Sequence, residues 1–245
     1  MKLAKRAYVP LSRLRERVRR EGALFSAACT DCPRLSNFLA QVRISHPDYF
    51  AQPVPPFGVD APRLLIVGLA PGMHGANRTG RPFTGDFAGI LLYDTLHRYG
   101  FASRPASEHA ADGLELIDCR ITNAVKCLPP ENKPDTNEIK ICNKYLSEEL
   151  KVLDKYTAVL ALGLIAHKAV LMALGLKQGN YAFGHAAEHR LPNGLSLFDS
   201  YHCSRYNTQT KRLTHAMFHA VFERIRDKID SKNTGEPRTN TDEHG

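Results

Sequence analysis

Six cysteines are the first residues of this chain able to do distinctive chemistry, and two of them, Cys29 and Cys32, form a C-x-x-C pair. In an intracellular chain that spacing points to metal or redox chemistry rather than to a disulfide framework. A thioredoxin-like redox pair would follow a strand at the start of a helix, whereas this pair follows a predicted helix and precedes the first predicted strand. Cys127 and Cys142 supply the other half of a four-thiolate site if the N-terminal segment packs against the connection that follows the second strand. Four thiolates suit tetrahedral zinc or an iron–sulfur cluster, and spacing alone does not choose between them. Cys119, inside a predicted strand, reads as core.

A second chemical stretch is "GLAPGMHGANRTGRPFTGD", Gly68 to Asp86. It lacks the lysine and hydroxyl pair of a Walker loop and the G-x-G-x-x-G of a dinucleotide fingerprint. What remains is a rigid Gly/Pro turn whose backbone N–H groups can face a ligand, then an arginine-rich loop carrying Phe83 and Asp86. Two further segments, "TNAVKC" (122–127) and "YHCSRYNTQT" (201–210), combine amide, imidazole, hydroxyl and cationic side chains.

The elements that must position these residues follow a regular pattern. Leu11, Leu14, Val18 and Leu24 predict a basic amphipathic helix over 11–28, and "HPDYFAQPVPPFGVDAP" (46–62) is too rich in proline for helix or central strand. "RLLIVGL" (63–69), "LIDCRITNAV" (116–125), "AVLALG" (158–163) and "LSLFDSYH" (195–202) read as buried strands. Helices are predicted between and after them, over 88–99, 136–154, 164–174 and 210–229, with Asp135 and Glu138 as a capping box. Alternating strands and helices predict an α/β fold, an open parallel sheet with helices on both faces. Such sheets bind ligands outside the carboxyl ends of their strands, which is where all three chemical segments fall.

The chain has 245 residues, 43% hydrophobic and 24% charged, with no apolar run of membrane-spanning length. One domain over 1–230 and a disordered polar tail over 231–245 are expected. The basic N-terminus has no apolar signal core, so a soluble, cytoplasmic and monomeric protein is expected. The formal net charge of +8 points to an anionic partner, most often nucleic acid.

The three segments, in this order and with the four cysteines, resemble the family 5, or b-type, uracil-DNA glycosylases. The resemblance runs from about Cys29 to about Phe222. It implies a three-layer α/β/α fold around a four-stranded parallel sheet and a [4Fe–4S] cluster held by Cys29, Cys32, Cys127 and Cys142. It implies a monofunctional enzyme that flips uracil out of DNA and hydrolyses its N-glycosidic bond, leaving an abasic site; hypoxanthine and other deaminated bases are plausible further substrates. By the same resemblance Phe83 is the stacking aromatic, Asn123 reads the base, Asp86 activates water and His202 stabilises the leaving base. Gly68, Ala70 and Gly72 are expected at the base, and Arg78, Arg81, Ser204, Arg205 and Lys211 at the DNA. Cys203 departs from the family, which has proline after the histidine. That puts the rigidity of the loop in doubt and adds a thiol, while Tyr206 is placed to act as a stacking wedge. The alternatives are a non-catalytic iron–sulfur module that recognises damaged bases, and a zinc-bound RNA-processing protein.

Overall fold

A computed structural model describes residues 25–231. The predicted helix over 11–28 lies outside these residues except at its end. There, residues 25–28 are not helical, and the Cys29 N–H donates to the Ser26 carbonyl at 3.1 Å. The expected tail, too, falls almost wholly outside the described residues.

The central sheet is built from the four predicted strands, β2 (Leu64–Gly68), β3 (Cys119–Asn123), β4 (Ala158–Leu162) and β6 (Ser196–Ser200). All four are parallel, in the order β3-β2-β4-β6. Two short strands extend the expected four to six: β1 (Phe57–Gly58) pairs antiparallel with β3, and β5 (Glu188–Arg190) antiparallel with β6. Each covers an edge whose backbone groups would otherwise stand unpaired.

Why the strands read as unbroken apolar runs is clear from their two faces. Leu64, Ile66, Leu160, Leu162 and Phe198 point to one side and bury against α3 (Phe87–Arg98) and α7 (His215–Asp230), through Leu92, Leu96, Phe218 and Phe222. Leu65, Val67, Val159, Ala161 and Leu197 point to the other and meet α4 (Thr136–Lys151) and α5 (Leu164–Ala173), through Leu146, Leu150, Ala166 and Val170. A strand covered on both faces must be apolar at every position, and the alternation of the period-2 pleat decides which helix each residue meets.

Three helices were not anticipated. α1 (Pro33–Ser45) opens on a proline pre-set for the first helical turn and buries Leu35, Leu39 and Val42, spaced four and three apart. The very short α2 (Ala76–Thr79) and α6 (Arg205–Gln209) break the loops after β2 and β6. The last long helix therefore starts at His215 rather than Thr210, because Ser204 caps α6 and Thr214 caps α7 separately. The connection leaving β2 runs to one side of that strand and the connection leaving β4 to the other, which opens a crevice at the carboxyl ends. No helix among the described residues is long and apolar enough to cross a membrane.

Candidate active site and thiol hollow

A cavity of about 290 Å³ occupies that crevice, at the lower edge of the size range of small-ligand sites. The loop after β2 contributes Leu69, Ala70 and Gly72, the end of β3 contributes Asn123, and the segment after β6 contributes His202 and Ser204. Phe83 and Asp86 close it from the loop before α3.

That loop, "RPFTGD", is pinned at nearly every residue. Arg81 pairs with Asp112 at 2.8 Å, the Pro82 carbonyl accepts from the Tyr93 hydroxyl at 2.8 Å, and Thr84 shares a hydrogen bond with Ser107 at 2.7 Å. Asp86 caps α3 by accepting from the Gly89 N–H at 2.8 Å. Phe83, within this pinned loop, is held at φ +54°, a left-handed conformation costly for an aromatic residue. Strain of this kind persists where surrounding structure imposes it and concentrates at functional sites. Its ring is buried and faces His202, with centroids 6.0 Å apart and planes 29° from parallel.

Gly68 stands behind the cavity rather than in its lining, and its missing side chain is what lets the wall form. A Cβ there would lie 2.4 Å from Asn123 Oδ1 and 2.8 Å from the Phe83 ring, closer than atoms pack. Strand register puts Asn123 directly beside Gly68. Asn123 is buried, and its Oδ1 has no hydrogen-bond partner. A buried acceptor left open costs about 1–3 kcal/mol, so this oxygen is poised for a donor brought by a ligand. Gly75 plays the matching part for Asp86, since a Cβ there would fall 2.5 Å from Asp86 Oδ2.

Burial raises the pKa of Asp86 above its ordinary value, against hydrogen bonds from Gly89 and Ala88 that favour the carboxylate. Burial alone pushes His202 down to about 4, so its imidazole is neutral near pH 7. The His202 carbonyl accepts from Asn207 Nδ2 at 2.8 Å, which ties the loop to α6. Behind it, His167 bridges the Asp199 carboxylate at 2.8 Å and the Tyr181 carbonyl at 3.0 Å, fixing β6 just before His202. Cys203 is fully buried and its pKa is raised by desolvation, then by Asp86. The thiol that Cys203 adds to the loop is packed inside the protein.

The expected DNA-contacting residues divide. Arg78, Arg205 and Lys211 are exposed, and Ser204 sits at the cavity rim. Arg81 is a correction: it is only 5% exposed and bonds inward to Asp112, Ser107 and the Ala110 carbonyl, with Phe57 under its guanidinium at 4.5 Å. Burial opposes the Asp112 carboxylate, but Arg81 and the N–H groups of Leu114 and Glu108 hold it below the usual carboxylate range. A guanidinium so engaged has nothing left for a phosphate. Sequence reading also missed Asn132, which lines the cavity at φ +57° beside Glu131 at +53°. Its one signal was the double proline before it, which stiffens the turn.

Cys29, Cys32, Cys127 and Cys142 line a second, small hollow together with Leu35, Pro53, Lys126 and Tyr145. Two ties bring their segments together. Arg34 forks onto Glu138 at 2.8 and 2.7 Å, locking the start of α1 to the first turn of α4, and Lys144 pairs with Asp31. The Cys142 sulfur accepts from the Lys126 backbone N–H at 3.3 Å. Burial first, then the other thiols and acids, pushes Cys32 up to about 11 and Cys127 up to about 12. Four thiolates can coexist in such a place only with a cationic centre between them, so the donor set fits a metal group.

A sequence profile of the Uracil DNA glycosylase superfamily matches residues 55–226. The Type-5 uracil-DNA glycosylase of Thermus thermophilus is 45% identical over 196 residues, covering 78% of this chain and 89% of that protein. The Type-5 uracil-DNA glycosylase of Mycobacterium leprae is 42% identical over 204 residues, covering 80% and 89%. The Type-4 uracil-DNA glycosylase of Pyrobaculum aerophilum is similar over a shorter stretch, 38% identical over 113 residues, covering 46% and 50%.

Proposed function

The chain belongs to the Uracil DNA glycosylase superfamily, and from that premise we propose that it hydrolyses the bond between uracil and deoxyribose in DNA, leaving an abasic site. The observation that carries this reading is the open Oδ1 of Asn123 at the wall of a cavity closed by an aromatic ring. Flipped uracil brings a ring N–H donor beside an acceptor oxygen, and one carboxamide matches both. Cytosine reverses the pattern and meets at least one repulsive contact.

Phe83 stacks on the flipped base from the cavity wall. As the bond breaks, charge builds on the departing base and on the sugar in opposite senses. Neutral His202 keeps one ring N–H to donate to the base oxygen, a preorganised stabilisation of the leaving group. Asp86, held by the α3 cap with its second oxygen toward Gly75, orients or deprotonates the attacking water. Leu69 and Ala70 leave one wall without polar side chains, which supports acceptance of hypoxanthine and other deaminated bases that repeat the uracil pattern. Arg78, Arg205 and Lys211 contact phosphates.

Cys29, Cys32, Cys127 and Cys142 would hold a [4Fe–4S] cluster. A bound cluster would supply structural cross-linking, joining the segment before α1 to the segments that follow β3. Every catalytic step is assigned to the cavity residues.

The test is a panel of oligonucleotides with one lesion each, followed by alkali cleavage at abasic sites. Wild-type protein is expected to cut at uracil, and binding without cleavage would favour the non-catalytic alternative. Asn123→Asp replaces a donor with an acceptor and should cut uracil and hypoxanthine excision together, at about 1–3 kcal/mol or more. Unchanged uracil excision by a normally melting Asn123→Asp protein would remove this residue from base reading.

A further inference from the structure

Three side chains able to ligate a metal converge beside the strand that leads to His202, and the proposed reaction employs none of them. One donor atom from each of His167, His189 and Asp199 lies within 4.8 Å of the other two. The fold brings them together from three elements. Antiparallel register sets His189 of β5 opposite Leu197 of β6, and Asp199, two residues after Leu197, projects to the same face of the sheet. Across that face lies α5, which supplies His167. His167 and Asp199 are 1% and 0% exposed, while the His189 side chain, on the edge strand, is 17% exposed.

The hydrogen bonds within this cluster leave lone pairs facing one another. His167 Nε2 faces the Tyr181 carbonyl at 3.0 Å, and a carbonyl only accepts, so this nitrogen carries a proton. The other ring nitrogen, Nδ1, stands 2.8 Å from Asp199 Oδ1. Asp199 Oδ2 and His189 Nε2 are buried 3.5 Å apart, and neither has a hydrogen-bond partner among the described residues. A second proton on His167 would serve Oδ1 and leave that pair as it is, whereas a divalent cation serves every member at once. We propose that His167, His189 and Asp199 form a zinc site, through Nδ1, Nε2 and a carboxylate oxygen, that joins α5 to β5 and β6. Zinc sits about 2.0–2.1 Å from such donors, which sets neighbouring ligands of a tetrahedral ion about 3.3 Å apart. The 3.5 Å between His189 and Asp199 is long for a hydrogen bond and close to that spacing. Imidazole with carboxylate is a donor set that zinc accepts, and the bond from His167 Nε2 to a carbonyl is the support a metal-bound histidine ordinarily has on its second nitrogen. Three protein ligands leave a fourth position for water, and the partly exposed His189 gives the ion its approach from solvent.

The test uses the full chain, purified without air, freed of loose metal by a chelator and titrated with Zn²⁺ against a chromophoric competitor. One zinc ion per chain is expected beyond anything the cysteines hold. Its X-ray absorption should show nitrogen and oxygen neighbours at about 2.0–2.1 Å, without the sulfur at about 2.3 Å that the thiol hollow would give. His189→Gln keeps the length of the side chain and should weaken this zinc about a hundredfold. His215→Ala, at an exposed histidine on α7, should leave it unchanged. Zinc should also raise the melting temperature of the wild type and not that of His189→Gln, since only a folded site binds it. If His189→Gln melts far below the wild type without zinc, the neighbours seen around zinc in the wild type decide alone. A chain that takes up no zinc at micromolar concentration, a sulfur-only shell, or wild-type affinity in His189→Gln overturns the proposal.

Discussion

Asp86 does two things with one carboxylate, and the two can be separated. Asparagine caps a helix about as well as aspartate, so Asp86→Asn keeps the hydrogen bond to the Gly89 N–H while removing the charge. Its melting temperature should stay near wild type, and single-turnover excision should fall on the order of a hundredfold. In the wild type, burial raises the Asp86 pKa above its ordinary 3.8. The carboxylate that serves as base is lost as pH falls through that raised value, so the rate should climb with pH from a displaced acid limb and then level. No step should appear near 6.5, because His202 is neutral down to about 4. A full-rate Asp86→Asn enzyme, or an acid limb that survives the substitution, would assign water activation elsewhere.

At the scale of elements, the arginines of the loop before α3 show how much the sequence could tell. The four parallel strands and four long helices were legible because buried strands must be apolar throughout and amphipathic helices must repeat. The segments that carry Phe83, Asp86, Asn123 and His202 were legible because strand ends carry ligands, the family resemblance singled out the four residues within them, and they do meet around one cavity. Arg81 was not. Nothing in "NRTGRPF" distinguishes a cation facing solvent from one facing Asp112, thirty-one residues on, because that pairing is made by tertiary contact alone. α1 escaped for a different reason: its apolar stripe of Leu35, Leu39 and Val42 follows directly on a C-x-x-C pair, and Cys32 stands where a capping side chain would announce a helix. The difference between the arginines is measurable. Arg81→Ala leaves Asp112 buried without its partner and should lower stability by about 3–5 kcal/mol. Arg205→Ala should leave the melting temperature unchanged, weaken damaged and undamaged duplex alike, and reduce the salt slope by about one. The reverse assignment of effects would place Arg81 on the DNA.

For the whole molecule, the two hollows are built on opposite logic, one with an open polar acceptor in its wall and one lined by thiols whose ionisation burial opposes. Protein purified without air is expected to be brown and to contain iron and sulfide. Cys127→Ser should lose colour and solubility together, because metal binding and folding are coupled. Colourless protein with stoichiometric zinc would overturn the cluster. The thiol hollow also has a place in the timetable of synthesis. Every residue lining it lies between Cys29 and Tyr145, whereas the cavity is incomplete until Ser204 has been made. Chains leave the ribosome N-terminus first and begin to fold as they emerge. The residues that line the thiol hollow are thus all present before β4 and β6 exist, so the proposed cluster would have its ligands well before the cavity has all of its own.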